Sequence, residues 1–252
     1  MRQRVVLLCD MSDTSRLVAR ALADANALDA ILIVGKTRLR DRLRWRLKRH
    51  GIMNLTSQLL CALLARALAH MFGRSRRREL LDGLDGPWPA DMPRHTAQHV
   101  NHRSTIDFLE AQHPDVVVLN GTEIVKATIL RATNARFVNI HCGLTPDYRG
   151  VHGAFWAMWN RDEERIGVTL HSVDSGVDTG TVISQTRVYP TSRDGFLCLP
   201  LLQYRAALPL LIAHLVSGAR TGPLPGSSIS RQWYHPRLRD FISLLIRRRI
   251  PF

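Results

Sequence analysis

Features of secreted, disulfide-bonded and membrane-spanning proteins are scarce in this chain of 252 residues. Its four cysteines form no CxxC pair, so we expect free thiols in a reducing compartment, and neither disulfides nor a metal site such as structural zinc. No apolar run reaches the length that a bilayer-spanning helix needs. The first ten residues, MRQRVVLLCD, predict a strand and not a secretory signal. These absences favour a cytoplasmic protein.

Several common catalytic and nucleotide-binding motifs are also absent. The sequence contains no G-x-G-x-x-G fingerprint and no P-loop, which disfavours the usual dinucleotide and nucleoside triphosphate sites. It contains no G-x-S-x-G motif, so a serine nucleophile on a strand-to-helix turn is excluded. Any chemistry must therefore come from other residues.

Acidic residues are few, and the excess of basic residues is concentrated. The net charge is +14, from 35 Lys and Arg against 21 Asp and Glu. The segments 36–50, 74–78 and 231–249 carry 18 Lys and Arg against two Asp, a charge of +16, which leaves −2 for the rest of the chain. Such clusters favour nucleic acid, anionic lipid head groups or phosphorylated substrates, with a merely solvated basic surface as the alternative.

Hydrophobic patterning predicts an α/β fold with a mostly parallel sheet flanked by helices. A buried strand at 4–9, an amphipathic helix at 15–26 and a strand at 29–34 form a βαβ start. Residues 83–95, rich in Gly, Pro and Asp, are predicted as a loop. The remaining predicted strands are 115–119, 136–140, 166–173 and 181–188, and the remaining core helices are 98–112 and about 197–216.

A basic helical insertion at about 36–78 interrupts this pattern. Leu39, Leu43 and Leu47 recur every four residues within an arginine-rich segment, which predicts a helix with one apolar face. A second helix is predicted by the spacing of Leu60, Leu64, Leu68 and Met71. These helices either pack on the domain or lie in a membrane interface.

Polar residues follow three of the predicted strands, as NGTE at 120–123, NIHCG at 139–143 and DSGVDTG at 174–180. In parallel α/β sheets, ligands gather beyond the carboxyl ends of the strands, so we expect these segments to converge. Asn139 and His141 alternate along an extended segment and can face the same side.

The residue types at this predicted site suit acyl transfer. Asn139 offers an amide donor, His141 an imidazole and Asp178 a carboxylate, the groups that a tetrahedral intermediate requires. Cys142 is adjacent, but side-chain alternation directs it away from His141, and we interpret it as a packing residue.

The segment FVNIHCGLTPDYRGVHGAFWA, at 137–157, followed by GVTLHSVDSGVDTGTVISQ, resembles the folate-dependent formyltransferase family. That family includes glycinamide ribonucleotide transformylase, methionyl-tRNA formyltransferase and sugar N-formyltransferases. The resemblance covers 95–190 well and 1–35 loosely, and the spacing from His171 to Asp178 is similar to the family's. The matching positions are Asn139, His141, Leu144, Pro146, Gly150, Asp178 and Gly180.

The resemblance implies a Rossmann-like fold and 10-formyltetrahydrofolate as formyl donor. It implies that Asn139 and His141 stabilise the oxyanion, while Asp178 holds His141 and assists removal of the amine proton. It also implies that the pterin lies against the 120–125 and 173–178 loops. The corresponding donor-binding residues would be Asn120, Gly121, Ile124, Val173 and Ser175.

Departures from the family pattern narrow the range of candidate acceptor amines. Gly143 and Thr145 replace a common serine and leucine, and no glycine-rich phosphate loop follows the first strand, which disfavours the purine enzymes. The C-terminal region is short for a methionyl-tRNA formyltransferase. We therefore predict an N-formyltransferase acting on an amino sugar, either nucleotide-linked or lipid-linked. The alternatives are a methionyl-tRNA formyltransferase-like enzyme and a non-catalytic membrane-associated binding module.

The predicted organisation has two parts. Residues 1–190 form a formyltransferase-like domain with the basic insertion, and 191–252 form a C-terminal helical extension with a basic tail. The expected partners are a small-molecule amine and, peripherally, an anionic membrane through 38–72 and 237–252. Nucleic acid is the less favoured partner, and the sequence does not determine the oligomeric state.

Overall fold

A seven-stranded sheet forms the centre of the protein in the computed structural model, which describes residues 2–82, 86–225 and 229–247. The strands in chain order are β1 (Val5–Cys9), β2 (Ala30–Val34), β3 (Arg94–Ala97), β4 (Val116–Asn120), β5 (Arg136–His141), β6 (Arg149–Gly150), β7 (Gly167–Ser172), β8 (Val182–Arg187) and β9 (Gln232–Trp233). The sheet has the order β3-β2-β1-β4-β5-β7-β8, and β6 pairs separately with β9. The first five strands of this order are parallel, whereas β7 runs antiparallel to β5 and β8.

Helices cover both faces of this sheet, which confirms the predicted Rossmann-like α/β fold. They are α1 (Asp13–Asp24), α2 (Leu39–Phe72), α3 (Arg74–Leu81), α4 (Arg103–Gln112), α5 (Ala127–Leu130), α6 (Gly153–Trp159), α7 (Leu199–Ser217) and α8 (Leu238–Ile246). Alternate strand residues point to opposite faces. Leu7 packs in the cluster formed with α1 and α7, and its neighbour Leu8 packs in the cluster formed with α4 and α5.

The differences from the sequence prediction lie where apolar periodicity is weak. The edge strand β3, RHTA, has mostly exposed polar side chains, so no alternating apolar pattern marked it. The helix predicted from residue 98 begins at Arg103. Helices α6 and α8 and the short β6–β9 pair were not predicted. The part of the predicted basic tail beyond Arg247 lies outside the described residues.

The predicted helical insertion is confirmed, and α2 is its main element. This helix of 34 residues changes direction at Gly51, whose φ of 76° is a conformation that glycine adopts readily. By length and composition alone, α2 and α7 are long and apolar enough to cross a membrane, so the expectation that no run reaches this length was wrong. Half of the apolar window of α7 is buried, but only 22% of that of α2.

A buried ion pair ties the insertion to the body of the protein. Arg76 of α3 donates from Nε to Asp194 Oδ1 at 2.7 Å, and Asp194 also accepts from the Thr191 backbone N–H at 2.7 Å. The Asp194 side chain is fully buried. Burial alone would raise the pKa of Asp194, but the hydrogen bonds from Arg76 and Thr191 outweigh it and hold that pKa below 3.8.

We predict that Arg76→Met destabilises the protein by about 3 kcal/mol, because it leaves a buried carboxylate without its cation. The exposed neighbour Arg78→Met is the control and should change the free energy of unfolding by less than about 0.5 kcal/mol. Urea denaturation at pH 7 measures both. Since the folded pKa of Asp194 is lowered, its contribution should be lost as the pH falls below 3.8. Equal stabilities of the two variants would contradict this account.

Candidate functional site

The change from parallel to antiparallel pairing brings the polar residues of β5 and β7 together. Asn139 of β5 lies directly opposite His171 of β7 in the antiparallel register. The Asn139 Nδ2 atom and the His171 Nε2 atom are 3.2 Å apart. The two residues therefore present an amide and an imidazole side by side at the end of β5.

Asp178 approaches this pair from the loop after β7 and completes the predicted triad. Its Oδ2 atom lies 3.3 Å from His141 Nδ1, and its Oδ1 atom lies 3.5 Å from both His171 Nε2 and Asn139 Nδ2. The structure thus brings together Asn139, His141 and Asp178, and it adds His171 as a fourth member. The sequence signal for His171 was only its distance from Asp178 along the chain.

The backbone around Asp178 fixes the direction of its carboxylate. Asp178 has a φ of 52°, in the left-handed region that non-glycine residues adopt infrequently. The Gly150 N–H donates to Asp178 Oδ2 at 2.9 Å, and the Arg149 guanidinium donates to the Val177 carbonyl at 2.9 Å. The loop after β7 is therefore held against the loop after β5.

The charge states of this buried group follow from its hydrogen bonds. His141 Nε2 lies 2.7 Å from the Tyr148 carbonyl, which can only accept, so this nitrogen carries a proton. Burial lowers the pKa of His141, and the nearby Asp178 carboxylate opposes this only in part. Burial alone would raise the pKa of Asp178, but hydrogen bonding to His171 and to the Gly150 N–H holds this pKa below its usual value. At neutral pH the site therefore holds a neutral His141 beside an ionised Asp178.

A buried hydrogen-bond network supports the loop after β5. The Thr169 hydroxyl donates to the Gly143 carbonyl at 2.7 Å and accepts from the Thr145 N–H at 3.1 Å. The Gln185 amide donates to the Thr145 carbonyl at 2.7 Å. Burial of these residues makes the bonds costly to break, so the loop is rigid relative to the strands. Thr169 and Gln185 were not predicted from the sequence, because neither residue belongs to a recognisable motif.

A cavity of about 590 Å³ opens beside the four residues. At one end its wall contains Gly121, Ile124 and Val173, three of the five predicted donor-binding residues. The Asn120 side chain is fully buried and donates to Ser15, so it is directed into the protein. The two remaining predicted donor-binding residues, Asn120 and Ser175, are not among the residues that line the cavity. Their role in binding stays a prediction.

The loop bearing Ile124 is pinned by polar contacts that the sequence did not reveal. The Asn101 amide donates to the Ile124 carbonyl at 2.9 Å, and its oxygen accepts from the Lys126 N–H at 2.8 Å. Glu123 accepts from the Thr37 hydroxyl at 2.6 Å. The Ile124 side chain nevertheless remains 64% exposed in the cavity wall.

Another part of the cavity wall is built by the basic insertion. Arg46, His50 and Gln58 of α2 line it, together with residues 232–235 around β9. Arg46 donates to Gln58 Oε1 at 2.5 Å, and Gln58 in turn donates to the His235 carbonyl at 3.1 Å. The periodicity of its leucines predicted this helix. It did not predict that the helix lines the cavity, because that position depends on the tertiary structure.

Cys142 also lines the cavity, although it does not provide a nucleophile. Burial raises the pKa of its thiol to about 12, so the thiol stays protonated at neutral pH. It packs against the core cluster on the α1 and α7 face. The interpretation of Cys142 as a packing residue agrees with this environment.

Part of this chain is similar in sequence to known proteins. Residues 77–194 match the formyl transferase family. Methionyl-tRNA formyltransferase of Chlorobium chlorochromatii (strain CaD3) is 33% identical over 97 residues, which are 38% of this chain and 31% of that protein. The match thus spans about a third of the length of that curated relative.

Solved structures with low sequence identity share the fold. A sugar N-formyltransferase from Shewanella sp FDAARGOS_354 superposes with a TM-score of 0.56 at 17% identity, over 98% of this chain and 87% of that one. An N-formyltransferase from Helicobacter canadensis, in complex with folinic acid and dTDP-3-aminofucose, has a TM-score of 0.53 at 14% identity, over 92% and 71%. The fold and the sequence match agree with the predicted resemblance. Residues 77–194 therefore form a formyl transferase domain, as the resemblance predicted.

Proposed function

We propose that this protein is an N-formyltransferase that moves a formyl group from 10-formyltetrahydrofolate to a primary amine. The observation that carries the proposal is the meeting of Asn139, His141 and Asp178 beside one cavity. An amide donor, an imidazole and a carboxylate at this spacing can stabilise an oxyanion and accept a proton within one site.

The cavity wall suits a formyl folate. A pterin is a flat ring system that needs an apolar surface and backbone hydrogen-bonding groups, and Ile124 and Val173 offer that surface beside Gly121. The exposed Ile124 side chain would be covered by such a ring, which removes apolar area from water. The N-formyltransferase from Helicobacter canadensis was solved in complex with folinic acid, which supports a formyl folate as the donor.

When bound, the folate supplies an electrophilic formyl carbon, and the protein's own residues act around it. The Asn139 amide is only part-buried, and its contact with Asp178 Oδ1 is long at 3.5 Å, so it can donate to a carbonyl oxygen as negative charge develops there. His141 Nδ1, once protonated, would be held by Asp178, and the imidazolium would add a positive charge near that oxygen.

Asp178 is the group best placed to manage the proton of the attacking amine. It is ionised at neutral pH and touches both imidazoles, so a proton leaving the amine can be held on Asp178 or shared with His141. The same proton then returns to the folate nitrogen as its bond to the formyl carbon breaks. The products are a formamide and tetrahydrofolate, and the protein ends in its starting charge state.

For the acceptor, we propose an amino sugar that carries a phosphate group. Arg46 lines the end of the cavity contributed by α2, and within the described part of the chain no carboxylate pairs with it. A phosphate is the ligand that a guanidinium without a carboxylate partner binds most strongly. The Shewanella relative is a sugar N-formyltransferase and the Helicobacter one holds dTDP-3-aminofucose, which supports this class.

The second candidate acceptor is the aminoacyl end of a tRNA. The similarity to Chlorobium chlorochromatii methionyl-tRNA formyltransferase and the arginine-rich α2 favour it. The two acceptors differ in salt dependence, because a tRNA would engage many phosphates and an amino-sugar phosphate only one or two. A steep fall of turnover with added salt would select the tRNA.

We predict that Asp178→Asn lowers kcat about 10²- to 10⁴-fold, because the amide cannot accept the proton of the amine. Asn139→Ala should lower kcat about 10²- to 10³-fold through loss of an oxyanion donor. Release of tetrahydrofolate from 10-formyltetrahydrofolate, with a panel of nucleotide-linked and lipid-linked amino sugars, measures turnover. Titration with folinic acid should show that both variants still bind the donor.

The control for these variants is Asp107→Asn, which neutralises an exposed carboxylate on α4. It should turn over at the wild-type rate. Wild-type turnover in Asp178→Asn would contradict the assigned proton transfer, and absence of folinic acid binding to folded wild-type protein would contradict the proposed function itself.

We predict that Arg46→Gln raises the KM for a phosphate-bearing acceptor about 10- to 100-fold, because a charge-assisted hydrogen bond is lost. The KM for 10-formyltetrahydrofolate should stay unchanged, since the folate is assigned to the wall around Gly121, Ile124 and Val173 and not to Arg46. Arg44→Gln is the matched control, because Arg44 is exposed on the same half of α2 and does not line the cavity. Equal acceptor KM values for the two variants would contradict a phosphate contact at Arg46.

We predict that the His141 ring titrates below pH 6.5 in the folded protein, because burial disfavours its charged form. Asp178→Asn should lower the midpoint further, since the carboxylate favours the imidazolium. Nitrogen chemical shifts of the ring across the pH range measure both midpoints. With a folded pKa below the unfolded one, the contribution of His141 to stability is lost as the pH falls from 6.5. A midpoint above 6.5 would contradict the assigned charge state.

A further inference from the structure

The half of α2 that follows Gly51 is apolar on the side that faces away from the protein. Its exposed residues include Ile52, Met53, Leu60 and Leu63, which are 61%, 82%, 52% and 60% exposed. The only Lys, Arg, Asp or Glu between Gly51 and Phe72 is Arg66. A helix that is apolar on both sides is normally buried or in contact with lipid, and a surface helix of a soluble protein normally carries charge on its outer side.

The inner side of the same segment is fixed to the protein. Its buried residues Leu55, Gln58, Cys61 and Ala65 recur at three- and four-residue spacing. Cys61 and Ala65 pack in one cluster with Phe241 and Leu244 of α8. Because this contact covers one side along the helix, the segment lies along the surface and cannot turn across a bilayer without breaking the cluster.

The other half of α2, from Leu39 to Gly51, is cationic. Arg42, Arg44 and Lys48 are exposed, and within the described residues none of them has a carboxylate in ion-pair distance. Trp45, also 57% exposed, lies among them. Tryptophan and unpaired arginine beside an apolar helix face are the residues that interfacial helices direct at head groups. The adjacent α8 adds the exposed side chain of Ile246, followed by Arg247.

We propose that α2, with the end of α8, is a docking surface for an anionic membrane, in which the helix lies in the plane of the interface. The apolar residues after Gly51 would enter the boundary between head groups and acyl chains, and the basic residues before it would contact lipid phosphates. Charge complementarity selects an anionic lipid surface over a second copy of this chain, which would bring the same arginine clusters together.

The position of α2 relative to the cavity gives this surface a functional consequence. Trp45, Arg46 and His50 line the cavity, and the Arg49 guanidinium lies 5.5 Å from the Trp45 ring centroid and 5.7 Å from that of Tyr234. A membrane held by α2 would therefore lie next to the acceptor end of the cavity. Together with the proposed function, on which this step rests, that position selects a lipid-linked amino-sugar phosphate over a nucleotide-linked one as the acceptor.

Sedimentation with vesicles tests the docking surface independently of any activity. Wild-type protein should co-sediment at low salt with vesicles of phosphatidylcholine and phosphatidylglycerol in equal parts, and much less with phosphatidylcholine alone. Leu60→Asp/Leu63→Asp should lower the partition coefficient at least about tenfold, since each charge must enter the interface. Arg44→Glu/Lys48→Glu should lower it by a similar factor, because each basic residue near the surface contributes about 1 kcal/mol.

The matched control is Tyr189→Asp/Val216→Asp, which places two charges at exposed apolar residues outside α2 and α8. This variant should bind vesicles as wild type does. Folinic acid titration of every variant reports on the donor site, so loss of vesicle binding with retained folate binding supports the proposal without reference to the acceptor.

Two results would overturn the docking proposal. One is wild-type protein that stays in solution with anionic vesicles at low salt. The other is Leu60→Asp/Leu63→Asp that binds them as wild type does. Light scattering identifies the competing occupant: a wild-type dimer that becomes a monomer in Leu60→Asp/Leu63→Asp, without vesicle binding, would assign the surface to a second copy of the chain.

Discussion

The contact on which the rest of the site depends is that of the part-buried Asp178 carboxylate with the loops and strands around it. A carboxylate taken out of water is costly unless its hydrogen bonds are satisfied, and here His171 and the Gly150 N–H compensate it. Each of these groups comes from a different segment, so the loops after β5 and β7 must stay together for the charge to be tolerated. The antiparallel register of β5 and β7 sets the distance between the segments.

The cavity wall is built from two kinds of segment. One comprises the strands and loops of the sheet, with apolar and backbone groups around Ile124. The other is α2, which contributes Arg46 and His50. The insertion thus supplies part of the cavity wall, whereas the groups that would carry the proposed chemistry lie on β5, on β7 and in the loop after β7. Such a division would allow one fold to serve different acceptors.

The sheet and the triad were predictable from the sequence because their signals are local. Buried strands such as VVLLC and VVVLN have continuous apolar runs, and Asn139 and His141 alternate within one strand. The support residues Thr169 and Gln185, the edge strand β3 and the wall formed by Arg46 were not predictable. Their roles depend on which segments meet in the folded protein. The identity of a single polar residue does not predict those tertiary contacts.

The apolar outer side of α2 illustrates a further limit of pattern reading. The periodicity of its leucines predicted an apolar face, but the same leucines fit a helix packed on the protein or one that lies on lipid. Burial of Cys61 and Ala65 and exposure of Leu60 and Leu63 in the structure separate the two sides of the helix, and both are apolar.

A structure of the protein with folinic acid bound would test the central claim most directly. Our account predicts that the pterin lies against Ile124 and Val173, with N10, the atom that carries the formyl group in the donor, turned toward the Asn139 amide. A folinic acid molecule bound away from Asn139, His141 and Asp178, or none bound in well-ordered crystals soaked at saturating concentration, would contradict it.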